Sequence, residues 1–113
     1  MPTKSTPNSG VYLFRALEGT LWKIGVSAHV TSRRTAVSTR QRHCTVAHVI
    51  TTNDPFALEH YLHRCFKRRQ HHDGVYREWF TLEQNDVWRL LRLDHVEMLG
   101  KWPVNKAVRL LLE

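Results

Sequence analysis

The chain begins its ordered pattern with two short apolar segments joined by a polar turn. Residues 11–16 and 21–26 are rich in β-branched, aromatic and other apolar side chains, and Gly19 lies in the short polar stretch between them. Two such runs separated by a few turn residues predict an antiparallel β-hairpin. A hairpin this early fixes two neighbouring strands around which the remaining elements must pack.

Tyr12 and Lys23 lie eleven residues apart, one on each predicted strand. On antiparallel neighbours the two side chains can rise from the same face of the sheet. A phenol with a pKa near ~10 is a poor base at neutral pH. The Lys23 ammonium would favour the phenolate by direct charge interaction, or a neutral Lys23 would take the phenol proton. The simpler alternative is a strand tyrosine that packs its ring at the edge of the core.

The rest of the chain alternates between helical and extended patterns. Asp54-Pro55 marks a helix start, with an N-cap oxygen followed by a proline. The apolar surroundings of Trp88 predict a core position. The predicted order is a basic helix over 31–41, a strand over 44–51, a helix from 55 to about 69, a short extended segment over 79–82, a helix over 83–99 and a last helical turn over 105–112.

This order predicts an α+β fold with a small, mainly antiparallel three-stranded sheet flanked by helices. At 113 residues the chain has the length of one domain with one modest core. We expect a flexible leader over residues 1–9, a domain over 10–82, and a C-terminal helical extension over 83–113 that packs on the same domain.

The formal net charge is +7, and it is concentrated in the middle of the chain. Residues 33–77 hold nine arginines and lysines against three acidic residues. A basic stretch of this kind favours a polyanionic partner, DNA first, although a cationic protein without such a partner is the alternative. The candidate phosphate contacts are Arg34, Arg40, Arg42, Arg64, Lys67, Arg68 and Arg69.

Cys44 and Cys65 are the only cysteines, and each lies among apolar neighbours. Two isolated cysteines fit a reducing compartment better than a disulfide framework. The polar N-terminus has no signal-peptide pattern and no apolar run reaches membrane-spanning length, so we expect a cytoplasmic protein without a membrane partner. The histidines near Cys65 match no tetrahedral zinc spacing, which argues against structural zinc.

Several short motifs occur in an order that resembles the GIY-YIG nuclease superfamily, in its phage and bacterial branch. The first motif is Gly10-Val11-Tyr12, and the second is Lys23-Ile24-Gly25 in the branch's lysine form, preceded by a tryptophan where the branch has tyrosine. The remaining matches are Arg33 ten residues after Lys23, Glu59 within Ala57-Leu58-Glu59, His63 after Leu62, and the closing Glu78-Trp79-Phe80.

The resemblance covers residues 10–82 and implies a nuclease domain there. It implies that Tyr12, Lys23, Arg33 and Glu59 form a catalytic site, with Glu59 as the metal ligand and Mg²⁺ as the cofactor, for which Mn²⁺ could substitute. His63, one helical turn after Glu59, could orient a water or protonate the leaving oxygen. The tyrosine usual in the second motif is replaced by Lys23, so its roles do not transfer.

These inferences lead to a metal-dependent DNA endonuclease with no small-molecule cofactor. Two alternatives stay open: a nucleic-acid-binding module that keeps the nuclease fold without cutting, and an interaction domain whose basic charge is incidental. A homodimer is one way in which so small a domain could gain specificity, and the sequence leaves that question open.

Overall fold

The first two strands form the predicted hairpin at the centre of the sheet. The computed structural model describes residues 6–71 and 78–113, and part of the expected leader and of the loop after residue 70 lies outside them. Strands β1 (Gly10–Ala16) and β2 (Leu21–Ser27) pair antiparallel. In their register Tyr12 is opposite Gly25 and Phe14 is opposite Lys23. Tyr12 and Lys23 therefore lie on the same face, as predicted.

Three further strands extend this hairpin into a five-stranded sheet. Strands β3 (Cys44–Thr52) and β4 (Trp79–Thr81) pair antiparallel with β1 and β2 respectively, and β5 (His95–Val96) pairs parallel with β3. The strand order is β4-β2-β1-β3-β5. The α+β class and the mainly antiparallel sheet are confirmed. The sheet has two more strands than predicted because edge strands of two or three residues are too short to show a period.

Helix α1 (Val30–Arg40) covers one face of the sheet. Its buried residues Val30 and Val37 join a cluster with Tyr12, Phe14 and the strand residue Trp79. The face that carries Tyr12 is therefore a second, smaller core whose aromatic rings pack beside the polar groups described below.

Helix α2 (Pro55–Cys65) covers the opposite face and begins as the sequence predicts. The Asp54 carboxylate accepts a hydrogen bond of 3.2 Å from the backbone N–H of Ala57. Leu58 and Leu62 are buried against the sheet in the main core. The helix ends at Cys65 and continues as a 3-10 turn over Lys67–Arg69, so the α-helix is shorter than the predicted end near residue 69.

The C-terminal part is less helical than predicted. Helix α3 (Gln84–Leu91) has Glu83 as its N-cap, with the Asp86 carboxylate accepting from the Glu83 N–H at 2.9 Å. The chain then leaves the helix, because His95–Val96 pairs with β3, and the predicted continuation to residue 99 is wrong. Trp88 on α3 is 52% exposed, so its predicted core position is also wrong.

A small hairpin and a last helix complete the fold. Strands β6 (Met98–Leu99) and β7 (Trp102–Pro103) pair antiparallel, with Gly100 at a φ of 60° in the turn between them. Helix α4 (Lys106–Leu112) follows, and Leu112 joins the main core. Within the described parts of the chain, no helix combines the length and apolar character needed to cross a bilayer.

The packing of α2 predicts a large difference between two neighbouring apolar side chains. Leu58→Ala should lower the free energy of unfolding by about 2–5 kcal/mol, because Leu58 is fully buried and truncation leaves a cavity. Phe56→Ala, on the same helix but 67% exposed, should change it by about 0.5 kcal/mol or less. Urea unfolding followed by circular dichroism measures both. Equal losses would contradict the assignment of the α2 faces.

Candidate active site

The two motif glycines fit places where the backbone has no room for a side chain. The Tyr12 ring lies against the backbone of Gly25, where an added Cβ would overlap the phenol. Gly10 has a φ of 142°, and a Cβ there would overlap the Ile50 carbonyl. Gly25 therefore lets the Tyr12 ring lie flat across β2, and Gly10 lets β1 run close beside β3.

Tyr12 is buried at the centre of the smaller core, stacked on Phe14 with ring centroids 3.8 Å apart. Burial raises the pKa of its hydroxyl to about 12, because the phenolate would lose its hydration. An interaction with the Arg33 guanidinium of α1 lowers this pKa, and the charge of Glu78 raises it. Tyr12 is thus a neutral phenol at pH 7, held beside a permanent positive charge.

Lys23 is fully buried and paired inside the protein. Its ammonium forms an ion pair with the Glu78 carboxylate and donates a 3.2 Å hydrogen bond to the Gln41 side-chain oxygen. The same Gln41 oxygen accepts from the Trp79 indole N–H at 2.9 Å. Burying an ammonium costs several kcal/mol unless such partners replace its hydration. Lys23 is consequently fixed in place by three side chains.

This pairing changes the expected relation between Lys23 and Tyr12. We expected the Lys23 ammonium to favour the phenolate, but the positive group that lowers the pKa of Tyr12 is Arg33, and the net shift is upward. The reason is that Glu78 takes up the charge of Lys23 directly, while desolvation dominates at Tyr12. The two side chains share a face without forming an activated pair.

One edge of β2 is contacted by Glu78 and His63 just beyond the residues that pair with β4. The backbone N–H of Ile24 donates to the Glu78 carbonyl at 3.0 Å, immediately before β4. The Ile24 carbonyl points to the same edge, as N–H and C=O of one residue do in an antiparallel pair, and accepts from His63 Nε2 at 2.8 Å. His63, on α2, therefore binds the strand at a point where pairing with β4 has ended.

This hydrogen bond also fixes the proton position on His63. A carbonyl can only accept, so Nε2 carries a proton and Nδ1 is the ring nitrogen left for another partner. Either role expected for His63, orienting a water or protonating the leaving oxygen, would therefore use Nδ1.

Glu59 lies one turn before His63 and is half-buried. Burial raises the pKa of its carboxyl, the positive charge of His63 lowers it, and the negative charge of Glu78 raises it again. Lys23 also acts on Glu59 through its charge. The charges of Lys23 and Glu78, on the α1 face of the sheet, therefore act on Glu59 of α2.

Glu78 is the site residue that sequence reasoning missed. Its charge acts on Tyr12, Arg33 and Glu59, and its carboxylate binds Lys23. The signal was present, since Glu78 opens the Glu78-Trp79-Phe80 motif. Only the register of β4 on β2, which pairs Trp79 with Lys23, shows that Glu78 reaches this lysine.

The basic residues expected to contact phosphate divide into two groups. Arg40, Lys67 and Arg68 are exposed. The others are engaged within the protein: Arg34 with the Cys44 carbonyl at 3.4 Å, Arg42 over the Trp79 ring at 5.3 Å, Arg64 with the Lys101 carbonyl at 3.0 Å, and Arg69 with Glu83 at 3.0 Å and Asp86 at 3.3 Å.

The acidic side chains are compatible with a Mg²⁺ site built on one carboxylate, but they do not form a site with three or more protein ligands among the described residues. Within residues 6–71 and 78–113 no three histidine, cysteine or acidic side chains are grouped so as to hold a metal ion. Mg²⁺ commonly binds one or two carboxylates and takes its other ligands from water and phosphate. Glu59 fits that role, because a cation would offset both its desolvation and the nearby charge of Glu78.

The raised pKa of Tyr12 predicts a stability loss at high pH. An unfolded tyrosine has a pKa near 10.0 and folded Tyr12 a pKa of about 12. The stability that comes from keeping the buried phenol protonated is therefore complete below pH 10 and is lost as pH rises from 10 to 12. Tyr12→Phe should flatten that decline by about 3 kcal/mol. Urea unfolding at several pH values measures it.

The decline should become shallower in Tyr12→Phe without vanishing, because burial also raises the pKa of Tyr61. An identical decline in the wild type and in Tyr12→Phe would contradict the assigned environment of Tyr12.

Comparison with known proteins gives one family match. The family model of the T5orf172 domain matches residues 9–93, which include every residue of the site described above. Neither the curated proteins nor the solved structures contain a match to this chain. The T5orf172 domain is found in nuclease-like proteins of phages and bacteria and is related to GIY-YIG-like endonucleases. Because the match spans most of the chain, this protein belongs to the T5orf172 domain family.

Proposed function

We propose that this protein is a metal-dependent DNA endonuclease with a site of the GIY-YIG type. The observation that carries the proposal is the coupling of side chains from four separate elements around one end of β2. Arg33 interacts with Tyr12, and Lys23 and Tyr12 each interact through charge with Glu59. A structural ion pair needs two such groups, whereas phosphodiester hydrolysis needs several at once.

Hydrolysis forms a bond between a water oxygen and phosphorus and breaks one phosphorus–oxygen ester bond. The water loses a proton and the leaving oxygen gains one. Arg33 would bind phosphoryl oxygens through its planar fork and stabilise their developing charge. Tyr12, as a neutral phenol, would hydrogen-bond and orient the attacking water, and His63 Nδ1 would hold a second water. The proton that the attacking water loses would pass to solvent through that second water, and the leaving oxygen would take its proton from solvent.

Glu59 would hold Mg²⁺, or Mn²⁺ in its place. The cation, when bound, would lower the pKa of a water and stabilise negative charge on the phosphate. Lys23 would act through its fixed positive charge, which reaches Glu59, and would transfer no proton. These roles agree with the coarser conclusion from the family, a nuclease-like or nucleic-acid-binding module.

A non-catalytic DNA-binding module is the second candidate, and a specific observation favours it. The pKa of Tyr12 is raised to about 12, and the Lys23 ammonium is paired with the Glu78 carboxylate. Neither side chain therefore has the activation expected of an isolated tyrosine–lysine pair. A protein that kept the fold for binding alone would have no need for such activation.

Cleavage of DNA distinguishes the two candidates. Wild-type protein should nick supercoiled plasmid with Mg²⁺ and stop when EDTA is added. Glu59→Gln should lower the rate by about a hundredfold or more, since it removes the charge that would hold the cation. Glu97→Gln, an exposed glutamate on the far side of β5, is the matched control and should cleave at the wild-type rate. Duplex, branched and single-stranded substrates should be compared.

No cleavage of any substrate, combined with salt-dependent DNA binding, would select the non-catalytic module. Absence of both cleavage and binding would favour an interaction domain. Full activity of Glu59→Gln would contradict the site even if the wild type cuts.

The exposed basic residues give a separate prediction for DNA binding. Lys67→Ala and Arg68→Ala should each weaken binding and lower the salt dependence by about one phosphate contact. Arg34→Ala should leave the salt dependence unchanged and lower stability, because its guanidinium binds the Cys44 carbonyl. Fluorescence anisotropy across a salt series measures the slope. Equal slopes for all three variants would contradict this division.

A further inference from the structure

We propose that Glu78 is a positioning residue that holds the Lys23 ammonium in the geometry that DNA cleavage requires, an inference that rests on the proposed function. The backbone and the side chain of Glu78 both contact the same short stretch of β2. Nothing in the motif resemblance gives it a role, and the contacts that follow do.

The backbone of Glu78 is fixed by the strand that carries Lys23. Its carbonyl accepts from the Ile24 N–H at 3.0 Å, one residue beyond Lys23. The next residue, Trp79, pairs directly with Lys23 across the β2–β4 ladder. The Glu78 carboxylate then turns back to the Lys23 ammonium, so the lysine and its partner belong to one rigid arrangement of two strands.

The ammonium of Lys23 is oriented by two acceptors that come from separate parts of the chain. Glu78 provides one, and Gln41, just after α1, provides the other at 3.2 Å. Gln41 is itself held by the Trp79 indole at 2.9 Å. An ammonium has three protons, and the two acceptors among the described residues take two of them. The direction of the third is therefore set as well, and the position of the buried positive charge is fixed.

Glu59 does not perform this task, although it also carries a negative charge. Glu59 and Lys23 interact through their charges, and among the described residues no hydrogen bond joins them. Glu78 forms the direct ion pair with Lys23. The two carboxylates therefore divide the work: Glu78 holds the lysine, and Glu59 stays available for a cation. The side chain of Glu78 is 40% exposed, whereas that of Lys23 is fully buried.

The groups that face Lys23 come from every neighbouring element. Phe14 of β1 and Trp79 of β4 provide apolar contact, and the Lys23 ammonium lies 5.7 Å from the centre of the Trp79 ring. Glu78, Glu59 and Gln41 provide negative or dipolar partners. Removing Glu78 takes away the nearest counter-charge, and the ammonium would then lose one of the two acceptors that orient it.

The test compares Glu78→Gln with Glu78→Asp and with Glu18→Gln in a steady-state Mg²⁺-dependent DNA cleavage assay. Glu18→Gln removes one negative charge from the exposed turn between β1 and β2 and is the matched control. We expect Glu78→Gln to lower kcat about a hundredfold with little change in KM, because a misplaced group affects the reaction step more than binding. Glu78→Asp keeps the charge and should recover part of kcat.

Thermal unfolding of each variant separates positioning from folding. If Glu78→Gln does not fold, Glu78→Asp decides, and a wild-type kcat for a folded Glu78→Asp would overturn the proposal. A folded Glu78→Gln with wild-type kcat, or with only a raised KM, would overturn it as well. If the wild type itself fails to cut DNA, the proposed function falls and this inference falls with it, whereas a cutting wild type with an active Glu78→Gln refutes this inference alone.

Discussion

The burial of one positive charge organises the region around which the site is built. Lys23 lies on a central strand with no exposed surface, and its ammonium is satisfied by Glu78 and Gln41. Because removing either partner would leave a buried polar group unsatisfied, the ends of α1 and β4 are both held to β2 through this lysine. Trp79 adds its ring and its indole N–H to the same arrangement. The polar network thus adds to the apolar cluster that these elements share.

The two faces of the sheet are joined at the place where β4 stops. His63 binds the buried Ile24 carbonyl there, and the charges of Glu59, Glu78 and Lys23 act on one another around it. Helix α2, which packs on one face of the sheet, is thereby linked to side chains on the other face.

The sequence was informative where a pattern is local and repeated. The hairpin of β1 and β2 and the start of α2 at Asp54 could be predicted because each has a periodic apolar pattern or a strong end signal. The two-residue strands after α3 could not, since strand pairing with β3 is a long-range contact that no local propensity encodes. For the same reason the sequence predicted that Tyr12 and Lys23 lie on one face, but not that the charge of Lys23 is paired with another residue. The pairing of Lys23 with Glu78, 55 residues later, depends on the register of β4.

The contact between the Tyr12 ring and the bare backbone of Gly25 limits how the hydroxyl can move. A ring that lies flat on a neighbouring strand and stacks on Phe14 cannot rotate to another rotamer without breaking both contacts. The phenol is therefore held in one rotamer. For the proposed reaction this means that the nucleic acid must bring its scissile bond to the oxygen, and that accuracy in the reaction would come from how the strand is bent or held.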